Sequence, residues 1–326
     1  MTPKENYFRL LSGEIPEYIP TMFEDRAGRF NEELLTPQAA PDGSVVTSWG
    51  VRYVGAPDMN FGAMPDPAQK LLPDITKWRD YIKMPDLSGF DWEKYYTDKI
   101  KDIDRSQKYI AVGGGDYFLT LVSFMGFEDT LLALYEEPEE VKALLEYVSE
   151  FYLTVLKKQI YYIHPEVLGM MDDDSAALAP FFSVDMYKEF FKPFHKLHTD
   201  IAHENNMFVE RHDCGKCEAF IPDWLDLGIC SWNPAQTMND LPGIKKKYGR
   251  KLAIVGGWDH IKYDNTCDVD ELREALYTYV DTFAPDGGFV FSAMIGGPPD
   301  DPETKKRQDI VNEVYEHYAK DYYKTH

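Results

Sequence analysis

From Glu166 onward the chain alternates short apolar runs with helical segments, and this alternation limits its possible folds more than any other feature. Glu166 to Met171 reads as a strand. A helix from Asp185 to Asn205 follows, with Ser183 as its cap and Asn205-Asn206 as its stop. Met207–Glu210, Ile229–Trp232, Leu252–Val255 and Gly288–Ser292 read as further strands. Residues 218–227, 240–248, 270–283 and 302–323 read as the helices between and after them. Strand and helix at this spacing build parallel βαβ units. Two earlier apolar runs, Tyr18–Phe23 and Tyr109–Val112, bring the candidate strands to seven. The expectation is α/β: a single closed (β/α)8 barrel of the TIM type, one domain over residues 1–326. No G-x-G-x-x-G follows the first strand, which argues against a dinucleotide-binding sheet.

The first half is less regular. Residues 3–12 form an amphipathic helix, read as an N-terminal extension. Residues 31–74 are rich in Pro and Gly and lack periodicity, so they read as a long irregular excursion that covers the barrel mouth or makes an interface. Trp49, Tyr53, Met59, Phe61 and Met64 give that excursion apolar content of its own. Residues 75–83, 92–104, 118–135 and 139–163 read as helices, the last opening at Pro138. The run Gly113-Gly114-Gly115 permits close backbone approach, and no Gly-Lys-Ser/Thr follows to make it a P-loop.

A net charge of -22 argues against a nucleic-acid partner. No apolar run reaches the length of a membrane span, and the N-terminus lacks a signal-peptide core. Four Cys in 326 residues do not form a disulfide framework, so a reduced, cytoplasmic protein is expected.

Polar residues follow every candidate strand: Glu24 to Arg29, Asp116-Tyr117, Asp172 to Asp174, Glu210 to Cys214, Asn233, Asp259, and Ser292 to Met294. In a barrel all of these reach one mouth, where active sites lie. The richest stretch is Glu210-Arg211-His212-Asp213-Cys214-Gly215-Lys216-Cys217. Side chains two apart in an extended segment share a face, so Glu210, His212 and Cys214 point the same way. Carboxylate, imidazole and thiolate make a zinc-type donor set. The plainer alternative is a hydrogen-bonded histidine beside a cysteine that only packs. Cys214 and Cys217 also form a C-x-x-C pair, but far from the start of the small βαβ unit where a redox pair would sit.

These residues resemble the uroporphyrinogen decarboxylase superfamily along nearly the whole chain. Asp25-Arg26-Ala27-Gly28-Arg29-Phe30 is similar to the decarboxylases' R-Q-A-G-R-Y. Residues Leu72 to Tyr81, Asp172-Asp173 and Phe182 to Tyr187 resemble the methyltransferase-like branch. His212-Asp213-Cys214-Gly215 matches that branch's H-x-C-G, and Gly256-Gly257-Trp258-Asp259 its G-G-x-D. The chain departs from the decarboxylases. Asp25 replaces the first arginine, Phe124 falls where they carry a tyrosine, and no His lies in the region around Phe291 to Ile295.

The resemblance implies a corrinoid-dependent methyltransferase with zinc held by His212 and Cys214. The branch's distant cysteine, its third ligand, is missing, which leaves Glu210 or Asp173 as a further ligand. The implied reaction moves a methyl group from a small methylated substrate, an aryl methyl ether by preference, to a corrinoid on a partner protein. No corrinoid-binding D-x-H-x-x-G occurs in this chain. Asp173, Glu210, His212 and Cys214 are the expected catalytic residues. Arg26, Arg29, Asp116, Tyr117, Asp259 and Met294 are expected to bind substrate. A homodimer is implied as well. The alternatives are a uroporphyrinogen-type decarboxylase and a non-catalytic carrier of metal or tetrapyrrole.

Overall fold

The computed structural model of the protein describes residues 1–22, 26–30, 38–56 and 62–325, with the backbone alone for 28–30, 56 and 62. Its centre is a seven-stranded sheet in which every neighbouring pair is parallel. The strands are β1 (Arg26–Phe30), β6 (Tyr109–Gly113), β7 (Val167–Met171), β8 (Phe208–His212), β9 (Ser231–Ala235), β10 (Ala253–Gly256) and β11 (Phe289–Val290), in that spatial order. The sheet curls until its edges approach. Just before β1, the Met22 amide donates to the Phe291 carbonyl at 3.2 Å, and the Phe291 amide donates to Pro20 at 2.9 Å. Thr21 thus bridges Phe291 in parallel, while β1 pairs with β6 on the other side.

Strand alternation sorts the core into two layers. Tyr109, Ala111, Val167, Ala253, Val255 and Val290 share an inner cluster with Tyr7, Leu10 and Leu11. Ile110, Val112, Leu168, Val209, Ile254 and Phe289 belong to the outer cluster under the helices. The N-terminal helix Pro3–Leu11, closed by a Thr2–Glu5 capping box, therefore plugs the floor of the curled sheet. Each large apolar side chain so buried contributes roughly 1.5–3 kcal/mol.

Three parts differ from the sequence reading. The first strand, expected over Tyr18–Phe23, lies at Arg26–Phe30, and among the described residues of the earlier run only Thr21 makes a bridge. The stretch expected to be irregular builds an antiparallel sheet of β2 (Gln38–Ala39), β3 (Val45–Val46), β4 (Arg52–Ala56) and β5 (Gly62–Pro65). Its Trp49 anchors it, packing 5.1 Å from Phe151 and 5.7 Å from Phe124, centroid to centroid. Met59 and Phe61 lie outside the described residues. The helix expected over 118–135 is broken at Gly126, whose φ of 86° suits glycine. Phe118–Met125 and Phe127–Glu136 meet there at 111°. Among the described residues no single helix is long and apolar enough to cross a membrane, though this bent pair passes the same test on length and composition.

Candidate metal centre

The strand register builds the site. β7 and β8 run parallel with Met171 beside His212, so the residues that follow each strand rise together at the C-terminal rim. Alternation then divides them. Asp173, His212 and Cys214 come together, whereas Asp172, Asp174, Arg211 and Asp213 are fully buried beside them.

The ligand atoms of Asp173, His212 and Cys214 all lie within 4.8 Å of one another. Cys214 Sγ is 3.8 Å from His212 Nε2, and His212 Nε2 is 3.9 Å from Asp173 Oδ1. Tetrahedral zinc with ordinary bond lengths would hold such atoms about 3.3–3.6 Å apart, so small adjustments would close the set. The side chains of His212 and Asp173 are 32% and 35% exposed, which leaves the group open to a ligand. The Cys214 amide donates to Asp173 Oδ1 at 2.8 Å and ties the two loops together. Burial, reinforced by Asp173's charge, pushes the Cys214 thiol up to about 12. Unaided, it is a poor nucleophile at neutral pH; a cation among the three donors would reverse that preference.

Gly215 is required here. Its φ is 88°, and a Cβ would lie 2.4 Å from the Ser175 carbonyl oxygen. The H-x-C-G turn is thus pressed onto the loop that carries Asp173, and the Lys216 amide donates to Ala176 at 2.9 Å.

Outside the donor set lies a buried charge cluster. Arg211 Nη2 donates to Asp174 at 2.5 Å and to Asp213 at 2.6 Å. Asp172 accepts the amides of Tyr117, Phe118 and Leu119 at 2.8, 3.1 and 3.0 Å, capping the helix Phe118–Met125. Burial would raise the Asp172 carboxyl, but the His195 hydrogen bond and the charges of His195 and Arg211 hold it below the usual range. Asp213 is pushed up to about 7 by burial, despite Arg211, and Asp174 is raised by burial and by Asp213. One guanidinium faces three carboxylates, so burial and mutual repulsion favour the protonated form of the Asp174–Asp213 pair. His195 and His198 are both lowered, chiefly by burial.

The other expected site residues are distributed more widely. Glu210, expected as a catalytic residue and a ligand, points to the same face as His212 but one layer deeper. Its carboxylate accepts from the Tyr7 hydroxyl of the floor helix and from Ser231 Oγ. The carboxylate that joins His212 and Cys214 is Asp173. Arg26, Glu210, His212 and Asn233 line a cavity of about 100 Å³ inside the sheet. The side chain of Arg29 and all of Glu24 and Asp25 lie outside the described residues. Tyr117, expected to bind substrate, is fully buried with its hydroxyl 2.7 Å from His198 Nε2. Asp116 is half-buried, within 3.2 Å of Thr120 Oγ1 and the Tyr152 hydroxyl. Burial and the charge of Asp172 lift its carboxyl to about 7. Asp259 accepts the amides of Ile261 and Lys262 at 3.2 and 3.0 Å in a local turn. Met294 is exposed, and its carbonyl accepts from Trp258 Nε1 at 2.8 Å. The glycines after β6 make room for protein: a Cβ on Gly114 would strike Met170, and one on Gly115 the Tyr152 ring. Cys217 is buried, its sulfur 3.6 and 3.5 Å from the carbonyls of Asp213 and Gly215.

Sequence reasoning placed Asn233 at the mouth without a partner and missed Gln236 and Asn239. Asn233 Oδ1 lies 3.0 Å from His212 Nδ1, Gln236 Oε1 accepts the Gly215 amide at 2.6 Å, and Asn239 Nδ2 donates to the Gly215 carbonyl at 2.9 Å. Their spacing of three residues, from Asn233 within β9 onward, was the available signal.

A solved methyltransferase from Methanosarcina mazei has the same fold, with a TM-score of 0.62 at 12% identity over 97% of this chain and 99% of that one. No curated protein sequence matches the chain. The family model described as Uroporphyrinogen decarboxylase (URO-D) matches residues 103–317, a span that takes in β6 to β11 and every donor in the candidate centre. With six of the seven parallel strands, the donor residues and the H-x-C-G turn inside that match, the chain belongs to the uroporphyrinogen decarboxylase family.

Proposed function

We propose that the protein is a cytoplasmic, zinc-dependent methyltransferase that moves a methyl group from a small methylated substrate to a corrinoid on a partner protein. The observation that carries this reading is the meeting of Asp173, His212 and Cys214 at the strand C-termini. The curled sheet is taken as the wall of a TIM-type (β/α)8 barrel and that rim as its mouth. The likeness of fold to a methyltransferase supports the same reading. So does Phe124, which stands where the decarboxylases carry a tyrosine and is buried against Trp49.

His212 Nε2, Cys214 Sγ and Asp173 Oδ1 would hold the metal, leaving one position for substrate. Zinc bound there supplies Lewis acidity to the oxygen or other atom from which the methyl group departs. One thiolate and one carboxylate balance its two charges, so this donor set keeps more of that acidity than two thiolates would. A weakly basic ether oxygen suits such a site, which is why an aryl methyl ether is the donor class proposed. Arg26 faces the cavity beside His212 and is placed to bind an anionic or polar part of the substrate. The corrinoid comes from a separate protein, and the enzyme is proposed to act as a homodimer.

The test is to incubate zinc-loaded protein with cob(I)alamin and a panel of methyl ethers, alcohols and amines, and to follow methylcobalamin by absorbance. Zinc-dependent methylation from a member of the panel supports the reading. Equal rates with and without zinc, or decarboxylation of uroporphyrinogen instead, would overturn it.

A further inference from the structure

We propose that Asn233, Gln236 and Asn239 form a clamp of uncharged amides that positions the metal-binding turn, with Asn233 selecting the ring nitrogen that His212 offers. The inference rests on the reading of Asp173, His212 and Cys214 as a metal centre, and it assigns a role to residues outside that donor set.

β8 and β9 pair His212 directly with Asn233, so the two side chains rise from the same face of the sheet. Asn233 Oδ1 and His212 Nδ1 are 3.0 Å apart. The amide's orientation is set by its other end, where Nδ2 donates to the Arg211 carbonyl at 3.4 Å. Turned over, Asn233 would set its oxygen against that carbonyl and lose the contact there, while its NH2 could meet the ring nitrogen only in the other tautomer. Oδ1 therefore accepts, Nδ1 carries the proton, and the Nε2 lone pair is left for a metal. Nε2 is the ring nitrogen 3.8 Å from Cys214 Sγ and 3.9 Å from Asp173 Oδ1.

The two other amides hold the turn beyond Cys214. Gln236 Oε1 accepts the Gly215 amide at 2.6 Å. Asn239 Nδ2 donates to the Gly215 carbonyl at 2.9 Å, and its Oδ1 accepts the Glu218 amide at 3.1 Å. Three side chains spaced three residues apart thus grip residues 212, 215 and 218. Their neutrality has a consequence. A carboxylate partner would make the imidazole a stronger donor and spend part of the metal's electrophilicity. An amide fixes the ring without adding charge.

The experiment compares the full-length protein with Asn233→Ala, Asn233→Ser and Asn233→Asp, after circular dichroism confirms the fold. Two quantities are read: zinc affinity by chelator competition, and the His212 tautomer by NMR of ¹⁵N-histidine-labelled, zinc-free protein. Wild type should show the Nδ1–H form. Asn233→Ala and Asn233→Ser should show a mixture of tautomers and bind zinc roughly 10- to 100-fold more weakly. Asn233→Asp, which keeps the acceptor, should restore both. An unchanged tautomer in Asn233→Ala, or zinc affinity within about threefold of wild type, would overturn the inference. Wild type that binds no zinc would overturn the metal reading separately, since the tautomer is measured without metal.

Discussion

Replacing Arg211 with Leu removes the one guanidinium in a buried cluster of Asp172, Asp174 and Asp213. Arg211 donates to Asp174 at 2.5 Å and to Asp213 at 2.6 Å, and all four residues have no solvent exposure. Taking one partner from a buried ion pair costs about 3–5 kcal/mol, because the remaining charge is left uncompensated. Unfolding entropy near 60 °C is about 2.1 cal/mol/K per residue, so a chain of 326 residues loses about 1.5 °C of Tm per kcal/mol. The expected drop is about 4–7 °C. Its pH dependence is the sharper test. Asp213 is already held up to about 7 and Asp174 is raised, chiefly by burial. A carboxyl raised in the folded state keeps a proton that the unfolded chain has released. These two carboxyls therefore withdraw stability from the wild type as pH rises from about 4 through about 7. Without Arg211 these carboxyls rise further, and the fall should continue above pH 7. Calorimetry of both proteins at pH 5, 6.5 and 8 would show the Tm gap widening with pH. A gap under about 2 °C, or one independent of pH, would refute the claim that Arg211 offsets the negative charge of this cluster.

Three further outcomes are expected. Asp116→Asn removes a carboxyl held near 7 by burial and by Asp172, so its Tm advantage over wild type should grow from pH 4 to pH 7 and stay constant above, by thermal unfolding. Tyr7→Phe leaves Glu210 one donor short, and urea unfolding should show a loss of roughly 1.5–3 kcal/mol, the range for a hydrogen bond to a charged group. Cys217→Ser should leave metal content unchanged, because the Cys217 sulfur faces the carbonyls of Asp213 and Gly215 and stands outside the donor group; loss of metal in that variant would show that the C-x-x-C pair acts as a unit.

The parallel sheet is legible in the sequence because β6 to β11 are short apolar runs separated by helices, a pattern few folds accept. β9 reads too short. Asn233 and Pro234 look like strand breakers, yet the ladder to β8 carries the strand to Asn233 and the ladder to β10 carries it to Ala235. The antiparallel sheet is hidden for a physical reason: its strands are two to five residues long and are held by cross-strand pairing and by Trp49, neither of which leaves a periodic trace. His212 and Cys214 are legible through the period of two. The same period puts Glu210 on their face, but it carries no measure of depth, and Glu210 lies one layer nearer the floor. Asp173 stands in the sequence only as an alternative to Glu210, and the register that sets Met171 beside His212 is what brings it to the donor group. Tyr117 reads as a rim residue because it follows a strand, but its ring turns inward to pack on Phe194, 5.2 Å away, and to meet His198.

The most direct test of the central claim is the zinc content of the wild-type protein and of Asp173→Asn, His212→Ala, Cys214→Ser and Glu210→Gln, measured by elemental analysis after dialysis against limiting zinc. The donor group formed by Asp173, His212 and Cys214 predicts one zinc per wild-type chain, loss of it in the first three variants with the fold intact by circular dichroism, and its retention in Glu210→Gln. Wild type without zinc, or the three variants keeping it, would contradict the assignment of this rim as a metal centre.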